Sequence, residues 1–381
     1  QSELTKILLQ DKGIDMVPQL CDFCKNKSLD CSECKLLNRP TSLRELTENE
    51  LIKANLFFDK DKKIVCCKYV PSFSTWAEIF PPHLKNDAQA RKVSRGLLKS
   101  LNKNNMLEQF QGVFQNFVNE GIFQELTKED MKKWEDEKRG VNYINFHHVL
   151  KNHSQEERQK LRIVTNSSAN RTGVVDGKLT ECSLNACLPQ GFAAFNQLEE
   201  VAISWMSAPT SLLLDVRKAY SNIRDCQGDD QNKHLRRMIW YRDPVPGKDH
   251  DEMEEVTYGI GPCHYGDRNA ACLLANTMLK VAEDMSNDLG SIPSNDPGSN
   301  PSSDPGSNLN SDPSIDTFGA QTTLPPANSQ TVAGDAVTKF LKSMFVDDFI
   351  VNCEHPEEAF KLYEIYKRYL GNYSICLLYT S

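Results

Sequence analysis

Apolar residues recur at helical spacing in two stretches near residue 100: Val93, Leu97, Leu98 and Leu101, then Met106, Phe110, Val113, Phe114 and Phe117. Positions three and four apart share one face of a helix, so two amphipathic helices packed on a core are expected. Ahead of them, Ser42 to Asn55 reads as a helix and Lys63 to Tyr69 as a strand. Beyond them, Val141 to Leu150 and Leu161 to Val164 read as strands, with Gly140 as punctuation before the first. The run Leu212-Leu213-Leu214 is a short apolar strand that ends at Asp215. Further on, Phe345-Val346-Asp347-Asp348-Phe349-Ile350 sets two adjacent carboxylates between strand-forming residues, which predicts a hairpin with Asp347-Asp348 at its turn. Pro356 to Leu370 has the marks of a helix: Pro in the first turn, Ala359, Tyr363 and Tyr366 at helical spacing, and Gly371 as the stop. Helices and short strands in this mixture make the chain α+β.

Four zones follow from this pattern: a cysteine-bearing polar segment over residues 1–40, a connector over 41–84, and a main domain over 85–381 that is interrupted at 286–336. The interruption contains SNDPGSN and SSDPGSN, an eight-residue period marked by Asp296, Asp304 and Asp312. Pro, Gly, Ser, Asn and Asp dominate it. Such a segment cannot bury enough apolar surface to order itself, so a disordered low-complexity insert is expected.

Charge changes the picture only when it is resolved along the chain. The formal net charge is −8. From Arg91 to Arg171 there are 15 Lys and Arg against 10 Asp and Glu, whereas Asp284 to Val337 holds seven Asp and no Lys or Arg. The acidic balance therefore owes much to the insert, and the basic stretch is where a phosphate backbone could sit, although an excess of five over 81 residues also suits an ordinary solvated surface. No run approaches the roughly 18 apolar residues of a membrane span. No signal peptide opens the chain, so its 13 cysteines are expected to be reduced in a cytoplasmic setting. The chain begins at Gln1 and is expected to come from a longer product.

The chemistry rests on the two acidic motifs taken together. Alone, an Asp-Asp pair is most often a turn or a helix cap. A carboxylate at the end of an apolar strand, joined by a carboxylate pair on a hairpin, meets a narrower demand. Nucleotidyl transfer uses two Mg²⁺ ions held a few ångströms apart, and Mg²⁺ takes oxygen ligands, one or two carboxylates with waters and phosphates.

Asp215 with Ala219-Tyr220, followed downstream by Phe345-Val346-Asp347-Asp348, resembles motifs A and C of reverse transcriptases. Further segments resemble the pol polyprotein of BEL/Pao-type retrotransposons: Val141 to Lys151, Arg162 to Ala169, Ser183 to Leu188 and Tyr265 to Ala270. The resemblance covers roughly Cys21 to Ile375 apart from the insert. It implies a right-hand polymerase fold, fingers and palm with an antiparallel palm sheet, truncated before the thumb. The implied activity is RNA-directed DNA synthesis from dNTPs on an RNA or DNA template with a primer, away from membranes. It also implies roles. Asp215 and Asp347 would hold two Mg²⁺ ions, with Asp348 in support. Tyr220 would crowd a ribose 2′-hydroxyl. Gly266, at the head of a helix from Asp267 to about Glu283, would let template and incoming base approach. Lys151 and Arg162 would hold the triphosphate, where negative charge builds up on the leaving pyrophosphate.

The sequence departs from that pattern in places. Phe345 stands where many relatives have Tyr, Ala271 where many have Pro, and Thr165 where Phe is usual. Gly371-Asn372-Tyr373 resembles the family's Gly-Gly-Phe, but Cys376 to Ser381 matches nothing in it. Near the other end, Cys21-x-x-Cys24 and Cys31-x-x-Cys34 offer four thiolates to a tetrahedral Zn²⁺ at a spacing shorter than in common ribbons; free thiols in a linker are the equal alternative. Cys66 and Cys67 read as simply packed. A catalytically inactive relic or a co-opted nucleic-acid-binding fragment is the other functional reading, and a hydrolase finds no Gly-x-Ser-x-Gly elbow to support it.

Overall fold

The computed structural model describes residues 43–59, 61–151, 160–191, 196, 198–226, 228, 230–290 and 329–379. The four cysteines at 21, 24, 31 and 34 and the insert residues 291–328 lie outside the described residues.

The chain folds as a mixture of helices and small, mostly antiparallel sheets. In chain order the strands are β1 (Leu56–Asp59), β2 (Ile64–Cys67), β3 (Phe123–Glu125), β4 (Asn145–Lys151), β5 (Lys160–Asn166), β6 (Arg171–Val175), β7 (Lys178–Cys182), β8 (Thr210–Val216), β9 (Ile223–Asp225), β10 (Arg237–Tyr241), β11 (Glu255–Ile260), β12 (Met344–Phe345), β13 (Asp348–Cys353) and β14 (Leu377–Tyr379). Four of them form one antiparallel sheet in the order β12-β13-β8-β14. The other strands of the described residues form two three-stranded sheets, β1-β2-β9 and β10-β11-β3, and two ribbons, β4-β5 and β6-β7.

The two amphipathic helices form where the spacing predicts them, at Asp87–Lys103 and Leu107–Asn119. Ala90, Ser94, Leu97, Leu98 and Leu101 make the buried stripe of the first, and Leu107, Phe110 and Phe114 that of the second. Phe110 and Phe114 stack into an aromatic core with Phe123, Phe146, Trp240 and Tyr258. Truncating either Phe to Ala in such a setting costs about 3–5 kcal/mol. Cys66 and Cys67 are buried, as expected.

Several boundaries differ from the sequence reading. The strand expected from Val141 begins only at Asn145. Val141 to Ile144 is instead a buried connector whose amides bond across the molecule, Val141 N to Phe80 O and Ile144 N to Arg237 O, both at 2.8 Å. Gly140 does more than punctuate: a Cβ there would lie 2.5 Å from the Trp76 carbonyl oxygen. The helix expected from Asp267 starts at Ala270 and runs to Gly290. It and the Ser329–Ser343 helix extend into the span expected to be without structure from both sides. The C-terminal helix runs Pro356–Gly371, and the left-handed residue that follows is Ser374, with φ 56°. Leu377 to Tyr379, which lie outside the resemblance, form β14 and complete the four-stranded sheet. Residues 43–84 are woven into the same body: β2 pairs in parallel with β9, and Glu48 accepts a hydrogen bond from Gln190 N at 2.7 Å.

Candidate active site

Strands β8 and β13 alternate faces in step. Leu212, Leu214, Val216, Phe349, Val351 and Cys353 are buried in the core. The opposite face carries the pairs Asn352–Ser211, Ile350–Leu213 and, at its end, Asp348–Asp215. Val216 N donates to Asp347 O at 2.9 Å, which places a hydrogen-bonded rung beside the aspartate pair. Rungs alternate in an antiparallel ladder, so Asp215 and Asp348 form the narrow kind, with Cα atoms roughly 4.5 Å apart. Residues 132 positions apart, Asp215 and Asp347, are thus brought to one corner of the sheet.

The hairpin turn is displaced by one residue from the expectation. Phe345 pairs with Asp348, so the two turn residues are Val346 and Asp347, and Asp348 opens β13. Period-two alternation decides it: Met344 and Phe349 are cross-strand partners and both face the core. The register leaves Val346 in the left-handed region at φ 58°, a conformation that strains a β-branched residue by about 1–3 kcal/mol.

Like charges crowd this corner. Burial raises the Asp215 carboxyl above its usual range, and the charge of Asp347 adds to the effect. Burial likewise raises Asp348, with Asp347 and then Asp215 contributing. Three hard oxygen donors that repel one another are the donor set that suits Mg²⁺. Among the described residues, no three His, Cys, Asp or Glu side chains stand arranged to hold a metal ion. Asp347 Oδ2 instead accepts a hydrogen bond from the Tyr265 hydroxyl at 3.0 Å.

Tyr220 sits beside this group on a short 3-10 turn, Ala219–Asn222, that follows β8. It is buried, and burial together with the Asp347 charge pushes its hydroxyl up to about 12. Its ring meets that of Tyr265 edge to face, with centroids 4.5 Å apart.

The segment carrying Tyr265 and Gly266 is a meeting point of three stretches singled out in the sequence. From the Arg162–Ala169 stretch, Thr165 Oγ1 lies 3.1 Å from His264 Nδ1 and donates to Tyr265 O at 3.4 Å, and Ser167 Oγ donates to Asp267 Oδ1 at 2.6 Å. From the Ser183–Leu188 stretch, Asn185 Nδ2 donates to Gly266 O at 2.6 Å and its Oδ1 accepts from Arg268 N at 2.9 Å. Gly266 has φ +94°, where a side chain would be strained, and a Cβ would stand 3.3 Å from Thr165 O. Gly266 is therefore fixed in a turn ahead of the helix and not within it.

Two residues that hold this turn escaped the sequence reading. Arg236, fully buried, forms an ion pair with Asp267 at 2.9 Å and donates to Pro262 O at 2.7 Å. Tyr69 donates to Asp267 Oδ2 at 2.6 Å and lies under the Arg236 guanidinium at 4.5 Å. The available signal was Arg236-Arg237 running straight into the apolar Met238-Ile239-Trp240-Tyr241, since cations abutting a core strand need buried partners.

Arg162 and Lys151 lie on the β4–β5 ribbon, a different sheet from the one that carries the carboxylates. Arg162 is exposed on β5 opposite Val149, with no side-chain partner among the described residues. It lies three residues, roughly 10 Å of strand, from Thr165. Lys151 pairs with Lys160 at the end of the same ribbon, and its side chain lies outside the described ones. Nearer the site, Lys218 (φ 52°) pairs with Glu120 beside the Phe117 ring.

No helix among the described residues is long and apolar enough to cross a membrane. A scan against protein-family models and a search of curated proteins returned no match to this sequence.

Proposed function

We propose that this chain is the fingers and palm of an RNA-directed DNA polymerase of the BEL/Pao retrotransposon type, joining dNTPs to a primer 3′-hydroxyl on an RNA or DNA template. The observation that supports it most is the β8–β13 register, which pairs Asp215 with Asp348 and sets Asp347 at the adjoining turn. In this reading Asp215 and Asp347 would hold two Mg²⁺ ions, with Asp348 in support, and the bound ions would supply the positive charge that activates a primer hydroxyl and offsets a triphosphate.

The chain's own residues do the rest. The buried ring of Tyr220 presses on the sugar's 2′ position and rejects a hydroxyl there. Gly266 keeps the turn bare of side chain where a nucleobase stacks. Arg162, exposed on β5 with no side-chain partner among the described residues, would meet the phosphates, and Lys151 at the end of the same ribbon is the second cation of this reading.

Primer extension on an RNA template with dNTPs and Mg²⁺ tests the reading. Asp347→Asn is expected to abolish extension, because the amide keeps the shape and loses the charge, while primer–template binding survives. Extension that tolerates Asp347→Asn ends the site assignment. A chain that binds duplex and never extends a primer is a nucleic-acid-binding fragment.

A further inference from the structure

Tyr265 connects two groups that the polymerase reading uses separately. Its hydroxyl donates to Asp347 Oδ2 at 3.0 Å, and its ring meets Tyr220 at 4.5 Å with the planes 77° apart. The residue is 50 % exposed, so water could satisfy the hydroxyl, yet it bonds the carboxylate. Its backbone is held in place by Thr165 on its carbonyl and by Gly266, at φ +94°, and the buried Asp267 that follow. Only the side chain is free to leave.

We propose that Tyr265 is a positioning residue whose hydroxyl competes with a divalent cation for Asp347: it caps Oδ2, and a cation bound there would displace it and free Tyr220 from the ring contact. The inference rests on the reading of Asp347 as a metal ligand. An oxygen that accepts a hydroxyl hydrogen has committed a lone pair and part of its charge, so the hydrogen bond competes with coordination. Release is inexpensive because the half-exposed hydroxyl passes to water. The latch also ties the two functions together. While the hydrogen bond holds, Tyr265 braces the Tyr220 ring, and displacing its hydroxyl would release that brace.

The test is an equilibrium titration of the whole chain with Mn²⁺ alone, free ion being counted by electron paramagnetic resonance, without nucleotide or nucleic acid. Tyr265→Phe keeps the ring contact and removes only the hydroxyl. It is expected to lower the Mn²⁺ dissociation constant about three- to tenfold, the worth of one net hydrogen bond. In an Asp347→Asn background the same change is expected to have no effect. A merely structural Tyr265 would give weaker binding on substitution, so the sign discriminates. If the wild-type chain binds Mn²⁺ through Asp347 and Tyr265→Phe binds it no tighter, the latch is wrong and the metal site stands. If neither folded protein binds Mn²⁺, both the latch and the reading of Asp347 as a ligand fall.

Discussion

Arg236 and Asp267 form an ion pair from which solvent is wholly excluded, and that pair fixes the turn bearing Tyr265 and Gly266. Asp267 accepts from four donors: Arg236 Nη1, Tyr69 Oη, Ser167 Oγ and His264 N. A charge so enclosed is tolerable only with its partners in place. The sheet supplies the carboxylates, and this network sets what stands over them.

Removing one side of the pair is therefore expected to be severe. Arg236→Met should lower the unfolding free energy by about 3–5 kcal/mol, because it strands a buried carboxylate. Adding Asp267→Asn should restore part of the loss by removing that charge. Urea unfolding of the two variants checks this. An Arg236→Met protein within about 1 kcal/mol of the parent would show that the pair does not organise the turn.

Tyr220→Ala removes bulk from the sugar side of the site and no ligand. If the polymerase reading holds, dNTP incorporation should remain substantial while preference over ribonucleotides falls roughly tenfold or more, the range that steric selection supplies. Competition between dNTP and rNTP in primer extension measures it. Equal loss for both sugars would make Tyr220 a packing residue.

Much of the sheet was legible because alternation is a local property. Leu212, Leu214, Phe349 and Val351 announce the core face, and Asp215 then falls on the other. The turn was legible only to within one residue, since the aspartate pair marks a bend between strand-forming residues and only the pairing of β12 with β13 and of β13 with β8 fixes which residues make it. The start of the Ala270–Gly290 helix was misread for a similar reason. Asp267 looks like an acidic first-turn residue, whereas its carboxylate is drawn inward by Arg236 and Tyr69 from over 30 and nearly 200 positions away. The spacing of side chains one element apart is written in the sequence; partners across the fold are not.

Trimming the insert should be neutral or mildly stabilising. The Ala270–Gly290 and Ser329–Ser343 helices bury Met278, Val281, Met285, Ala336 and Phe340 in the common core. Replacing residues 293–326 with a few Gly and Ser leaves those contacts intact. Loop closure entropy changes by about 0.6 kcal/mol per halving, so a gain of about 1–2 kcal/mol is expected. A marked loss of stability on calorimetry would mean that the excised residues pack against the body.

Asp225 should make stability depend on pH in an unusual direction. Both its carboxyl oxygens are enclosed without a well-formed hydrogen bond, beside Gly261, whose added Cβ would lie 2.6 Å from Oδ2. Burial pushes this carboxyl up to about 7, against the pull of the nearby Arg236 charge. Between the unfolded value near 4 and the folded value near 7, the native state keeps a proton that the unfolded chain has released. The resulting stabilisation is complete below about pH 4 and is lost as the pH rises through about 7, beyond which the curve is flat. Three units correspond to about 4 kcal/mol at most. Asp225→Asn, neutral throughout, should abolish this slope and exceed the parent's stability at pH 8. Urea midpoints measured from pH 5 to 8 decide it: if the parent's stability rises with pH over that window and Asp225→Asn leaves the rise unchanged, Asp225 is ionised in the fold and finds a partner that its enclosure does not reveal.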